Sequence, residues 1–138
     1  MSLSLNLAAL ALVVSQAAAP VPWEATHGAA TASGTRWTER PAGQFFPSLV
    51  VQGTLTNTSS GCSSVWVQWV YDLAPGPARK QVTQCGAGST PVSVRLQSYS
   101  LTTTGYLWIC AGQDSPTADC GERISLTSWP VRSVKEAS

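Results

Sequence analysis

Four cysteines, Cys62, Cys85, Cys110 and Cys120, and a single histidine, His27, constrain this chain more than any other feature. The cysteines are separated by 22, 24 and 9 residues. Zinc sites want close pairs such as C-x-x-C, or histidine partners. These spacings offer neither, so no metal is expected. An even count of cysteines in a small exported chain reads instead as a disulfide framework, which persists in oxidising compartments. Which cysteines pair depends on how the segments between them fold.

Those segments read as strands. Leu49, Val51, Gly53 and Leu55 alternate with Val50, Gln52, Thr54 and Thr56. The cluster Asn57-Thr58-Ser59-Ser60-Gly61 is a turn. Val65, Val67, Trp69 and Tyr71 share one face, against Trp66, Gln68, Val70 and Asp72. Ala74-Pro75-Gly76-Pro77 is expected to turn the chain, so that 78–85 returns along 63–73. A further turn at 86–89 leads to a strand with Val92, Val94 and Leu96 facing inward. Tyr106 to Cys110 is apolar on both sides, which fits a central strand covered on both faces. A last strand carries Ile124 and Leu126 and ends near Trp129-Pro130. No segment shows a helical stripe. The expected fold is all-β, a small antiparallel β-sandwich or barrel of about six strands. In that layout Cys62 and Cys85 meet at the open end of a hairpin, and Cys110 and Cys120 flank the loop 111–119. The expected disulfides are therefore Cys62–Cys85 and Cys110–Cys120.

The first residues differ in kind. Leu3 to Val14 is an apolar run broken only by Ser4 and Asn6, followed by Ser15-Gln16-Ala17. This predicts a signal peptide over 1–17 and a secreted, extracellular product. The run is too short to span a bilayer, which takes roughly 20 apolar residues. Residues 18–43 are rich in Ala, Thr, Gly and Pro and show no visible period, so they are expected to form a flexible N-terminal arm. The β-domain then covers 44–132, and 133–138 is a short tail.

The chemistry-bearing residues are few. Eight basic residues oppose seven acidic ones, scattered singly except for Arg79-Lys80. Nucleic-acid binding wants a basic patch, so neither a nucleic acid nor a membrane surface is expected as partner. His27 falls in the expected arm, and paired cysteines offer no thiolate, so nucleophilic catalysis lacks its parts. Asp114, Asp119 and Glu122 are the only clustered carboxylates; they read as turn and strand residues before they read as a glycosidase pair or a calcium site. Asn57-Thr58-Ser59 matches a glycosylation acceptor and reads first as a turn. No catalytic residue and no cofactor is expected.

Aromatic residues hold the functional content. Six tryptophans are many for so short a chain. Trp69 and Trp108 are expected in the core. Trp66 lies on the opposite strand face, where it forms either an exposed apolar patch or a contact with a second sheet. Trp37 either begins the first strand or anchors the arm to a partner, and Trp23 favours the second role.

The layout of leader, Ala/Thr-rich arm and four-cysteine β-domain resembles the small adaptor subunit of secreted umbrella toxin particles. The resemblance rests on the arm from Trp23 to Arg40 and on the cysteines. It implies an adaptor that links a trypsin-like, lectin-bearing subunit to a large toxin chain. The arm would insert into the cleft of the trypsin-like subunit with Trp23 and Trp37 as its anchors; Arg36, and Trp66 if its strand face is exposed, are the further candidate partner-binding residues. Such a segment binds by strand addition or by filling a groove. Two other roles suit the residues. A secreted protease inhibitor would expose 74–80, with Arg79-Lys80, or 111–119. A carbohydrate-binding module would stack sugars on Trp66 or Trp129.

Overall fold

A computed structural model describes residues 19–127. The expected leader, the tail and Trp129 lie outside the described residues. The regular elements between these limits are all strands: β1 (Val21–His27), β2 (Ala30–Glu39), β3 (Ser48–Asn57), β4 (Cys62–Tyr71), β5 (Ala74–Cys85), β6 (Gly88–Leu96), β7 (Thr103–Ala111) and β8 (Ile124–Ser125). They form two antiparallel sheets, ordered β1-β2-β3-β6 and β5-β4-β7-β8. The all-β sandwich is as the alternation predicts, with eight described strands where the sequence suggested about six.

The two extra strands come from the segment expected to be a flexible arm. Residues 21–27 and 30–39 pair with each other, and the second pairs with β3 along its whole length. Their inward positions are Trp23, Ala25, Ala30 and Ala32, all at most 5% exposed. Alanine and glycine are too small to announce a strand face, but they let the facing sheet approach closely. Outward positions Thr31, Ser33 and Thr35 are exposed, and threonine fits the pleat well.

The hairpin turn also moves. The chain reverses at Asp72-Leu73, with φ of 49° and 70°. Two consecutive residues with positive φ make a type I′ hairpin, whose twist matches the strands it joins. Ala74-Pro75-Gly76-Pro77 lies within β5 instead. Proline lacks a ladder donor and is tolerated at a sheet edge, and β5 is the edge strand of its sheet.

One core lies between the sheets, built on Trp23, Leu49, Val51, Leu55, Val65, Val67, Val92, Tyr99, Leu107, Ile109 and Leu126. A second, smaller cluster of Trp66, Trp108 and Cys110 sits on the other face of the β4–β7 pair. Both disulfides are as expected. Cys62 lies directly opposite Cys85, and Cys110 bridges to Cys120 across the loop.

Candidate functional site

The two ends of the sandwich differ in chemistry. At one end lie the β1–β2, β3–β4, β5–β6 and β7–β8 connections and both disulfides. Backbone hydrogen bonds tie these connections together, from Thr58 N–H to Ala29 C=O, Gly86 N–H to Gly61 C=O and Gly112 N–H to Cys62 C=O, at 2.7–3.0 Å. Asn57, 1% exposed, adds to this. Its amide donates to the carbonyls of Gly61 at 2.8 Å and Gly86 at 3.0 Å. Its oxygen accepts from Ser63 Oγ at 3.3 Å. The apparent glycosylation acceptor is thus a buried clamp around the Cys62–Cys85 bridge. His27, at the end of β1, meets Asp119 at 2.9 Å. That contact joins the expected arm to the second disulfide loop.

The opposite end carries the remaining connections: 40–47, Asp72-Leu73 and 97–102. Tyr99, fully buried, fixes two of them, its N–H donating to Pro47 C=O at 2.9 Å. Asp72 N–H donates to Thr102 C=O at 3.1 Å and brings in the third. On this ordered base stand Phe45, Phe46, Leu73 and Leu101, at 91%, 55%, 92% and 70% exposure, with Tyr71 beside the turn at 46%. These are the large exposed apolar side chains of the described residues. A groove of about 580 Å³ runs between the loops, lined by Arg40, Phe45, Phe46, Pro47, Tyr99 and Leu101.

Large exposed apolar side chains gathered at one end of a fold mark a candidate interaction site. Leu73 makes the point most sharply. A leucine with positive φ carries backbone strain. At 92% exposure it adds nothing to the core.

The residues singled out in the sequence lie elsewhere and apart. Trp23 is in the core, and its indole N–H donates to Thr35 C=O and Gln52 C=O, both at 3.2 Å. Trp66 is 8% exposed, and its N–H reaches Ser64 Oγ at 2.8 Å. What covers this face is the disulfide loop, not a second sheet. Trp108 N–H donates to Pro116 C=O at 2.8 Å, and the Arg123 guanidinium stacks 4.0 Å from the Trp108 ring. Trp37 is half-buried on the outer face of the first sheet. Its N–H donates to Glu39 at 3.1 Å, and Glu39 also pairs with Arg95. The Arg95 and Trp37 donors hold the Glu39 carboxyl below its ordinary value. Arg36 donates to Pro22 C=O at 3.3 Å. Trp23, Trp37 and Trp66 therefore lie in three different places, the main core, the outer face of the first sheet and the second cluster, and form no common site. Of the inhibitor loops, 74–80 is strand. Lys80 Nζ donates to Gln113 C=O at 2.9 Å and ties down the loop 111–119.

Phe45 and Phe46 precede the alternation that begins at Leu49 and carry no strand signal of their own. Two adjacent aromatics followed by Pro47 could not both face one core, and that was the available signal. Leu73 and Leu101 gave none, being single apolar residues beside turns.

Fold and loop geometry together define a disulfide-stapled antiparallel β-sandwich with an apolar loop end. Neither a model of a known protein family nor a curated protein matches the chain.

Proposed function

We propose that the chain is a secreted, non-enzymatic binding protein that holds a protein partner at its apolar loop end. The adaptor role implied by the resemblance to the umbrella toxin subunit would then be exercised at this end. The arm expected to carry it is folded into the first sheet.

The observation that carries the reading is the gathering of Phe45, Phe46, Leu73 and Leu101 on three loops of one end. Other routes to a partner are less favourable. Strand addition needs an open edge, and these edges are guarded in the usual ways. β1 has Pro22 and Glu24, β6 has Pro91 and Arg95, β5 has Pro75, Pro77, Arg79 and Lys80, and β8, the fourth edge, is a two-residue strand among the described residues. A protein fits the loop end better than an anionic bilayer, because Asp72 stands beside Leu73 and the net charge is only +1. Secretion is supported by the two disulfides, which persist in oxidising compartments. The non-enzymatic reading is supported by His27, which is paired with Asp119 at the other end of the sandwich, and by four cysteines all in bridges.

The test uses the immobilised protein and the culture medium of the organism that makes it. A Phe45→Ser/Leu73→Ser/Leu101→Ser variant should keep its unfolding midpoint and lose at least ~10-fold in capture of any stoichiometric partner, as expected when anchor residues go. An exposed substitution at the stapled end, Asp114→Ala, should leave capture unchanged. Equal capture by the triple variant would remove the loop end as the binding surface.

A further inference from the structure

One cation stands among the apolar residues of the loop end. In the lining of the groove Arg40 alone carries a charge, among Phe45, Phe46, Pro47, Tyr99 and Leu101. Its neighbour in the chain, Glu39, is held by Arg95 and Trp37 on the outer face of the first sheet. Among the described residues the ion pairs are His27–Asp119 and Arg95–Glu39, so no carboxylate of the chain lies against the Arg40 guanidinium. Arg40 is exposed while the groove is open. The other charge of this end is Asp72, outside the lining, on the turn whose Asp72 N–H donates to Thr102 C=O at 3.1 Å.

These charges restrict what can occupy the groove. At about 580 Å³ it has the size of sites that take small ligands, so it accepts a few side chains and not the face of a domain. An occupant lying on Phe46 and Leu101 also covers Arg40. A wholly apolar or basic occupant would take the guanidinium out of water without a partner, which is costly. A carboxylate replaces the lost hydration with charge-assisted hydrogen bonds, two of them parallel where the geometry allows. Leu73, outside the lining and exposed, leaves apolar surface for residues that flank the occupant. Asp72 beside it repels a second acid, so one carboxylate suits this end and an acidic run does not.

We propose that the groove takes an internal peptide segment of the partner in which two large apolar side chains adjoin a single Asp or Glu. The apolar side chains lie between Phe46 and Leu101, and the carboxylate pairs with the Arg40 guanidinium. The inference rests on reading that end as the docking site. The apolar residues supply most of the affinity, and Arg40 supplies selection, because a neutral or basic segment leaves its charge unpaired. An ion pair open to solvent contributes little. The selection therefore depends on the apolar contacts that keep water from it.

The experiment uses the fluorescently labelled protein and an array of acetylated, amidated hexapeptides. Each peptide has two adjacent residues drawn from Leu, Ile, Phe and Trp, followed by Asp, Glu, Asn, Gln or Lys. The Asp and Glu peptides should bind about tenfold more tightly than their amide counterparts, as expected for hydrogen bonds to a charged group. The Lys peptides should bind least. Arg40→Gln should keep its unfolding midpoint, bind the amide peptides at least as well and lose the preference for acids. Arg40→Lys should retain part of that preference. Equal binding of acid and amide peptides, a preference that survives Arg40→Gln, or binding of no peptide overturns the proposal. Tighter binding of a free C-terminal carboxylate than of a side-chain carboxylate also overturns it, as does a dimer in sedimentation that Phe45→Ser disperses, which would give the groove to a second copy. Capture of the native partner that survives Phe45→Ser/Leu73→Ser/Leu101→Ser fails the docking reading itself. Capture lost in that variant, with no preference for acids on the array, fails the Arg40 inference alone.

Discussion

Trp69 lies flat across Gly105, its partner on the neighbouring strand. A Cβ on Gly105 would stand 2.2 Å from the indole Cζ3 and 2.3 Å from Cε3. The first sheet repeats the device. A Cβ on Gly53 would meet Trp23 Cζ2 at 2.6 Å and Ser33 C=O at 2.1 Å. Each glycine is a seat for a core tryptophan. Gly53→Ala and Gly105→Ala should each destabilise the fold by about 1–3 kcal/mol through overpacking. Gly61→Ala, whose nearest atom would be 3.8 Å away, should be close to neutral. Urea unfolding midpoints of the three variants check this ordering.

Asn57 should behave as a structural residue. Asn57→Ala removes one of two donors from each of the Gly61 and Gly86 carbonyls beside the Cys62–Cys85 bridge, leaving them Gly86 N–H and Gln84 Nε2 respectively, and takes the acceptor from Ser63 Oγ. Loss of several hydrogen bonds made by one buried side chain costs about 1–3 kcal/mol. Asn57→Asp should be at least as harmful, since a carboxylate would then face carbonyl oxygens. Material secreted from a eukaryotic host should carry no glycan in its folded fraction, which an intact-mass measurement reads directly.

Glu39 predicts a mild acid dependence. Arg95 and Trp37 lower its folded pKa below the ordinary 4.5. A depressed carboxylate pKa contributes stability that is present above the unfolded value and is lost as pH falls through the folded one. Glu39→Gln should therefore lower the unfolding midpoint at pH 7. The difference should shrink below pH 4.5. It should also shrink in high salt, because the pair is exposed. Thermal scans of both proteins across pH 2–7 test the sign.

Removing the second disulfide should open the outer face of β4 and β7. Cys110→Ser/Cys120→Ser frees the loop over Trp66 and Trp108. For a sequence separation of 10 the loop-entropy estimate is about 2.7 kcal/mol. The first disulfide, at a separation of 23, gives about 3.4 kcal/mol. Tryptophan emission should redden and acrylamide quenching should rise for the Cys110/Cys120 variant in its native range. Unchanged quenching would mean that the loop stays down without its staple.

The parts of this fold that could be read from sequence were those marked by large side chains or by covalent arithmetic. Val65, Val67 and Trp69 announced a strand face. Cys62 and Cys85 bracketed a hairpin, which fixed the bridge even though the turn itself was placed wrongly. Pro75 and Pro77 outweighed Asp72-Leu73 as a turn signal because proline at a sheet edge cannot be told from proline in a turn by sequence alone. β1 and β2 were missed because Ala25, Ala30, Ala32 and Gly34 carry almost no hydropathic contrast. Their burial is decided by the sheet packed against them. Trp66 was ambiguous for a related reason. Its cover is a loop closed by a disulfide, and no periodicity encodes that. The loop end was invisible because its residues come from three connections far apart in the chain.

The central claim is that binding belongs to the loop end and not to the N-terminal strands. Site-specific photocrosslinking tests it most directly. The photoreactive residue p-benzoylphenylalanine is placed at Phe45, at Glu24 on the exposed edge of β1, or at Asp114 by the disulfides. Each protein is then irradiated in the native culture medium. The account predicts one discrete crosslinked species from position 45 and none from 24 or 114. A product from position 24 with none from 45 would contradict it and return the binding role to the N-terminal segment.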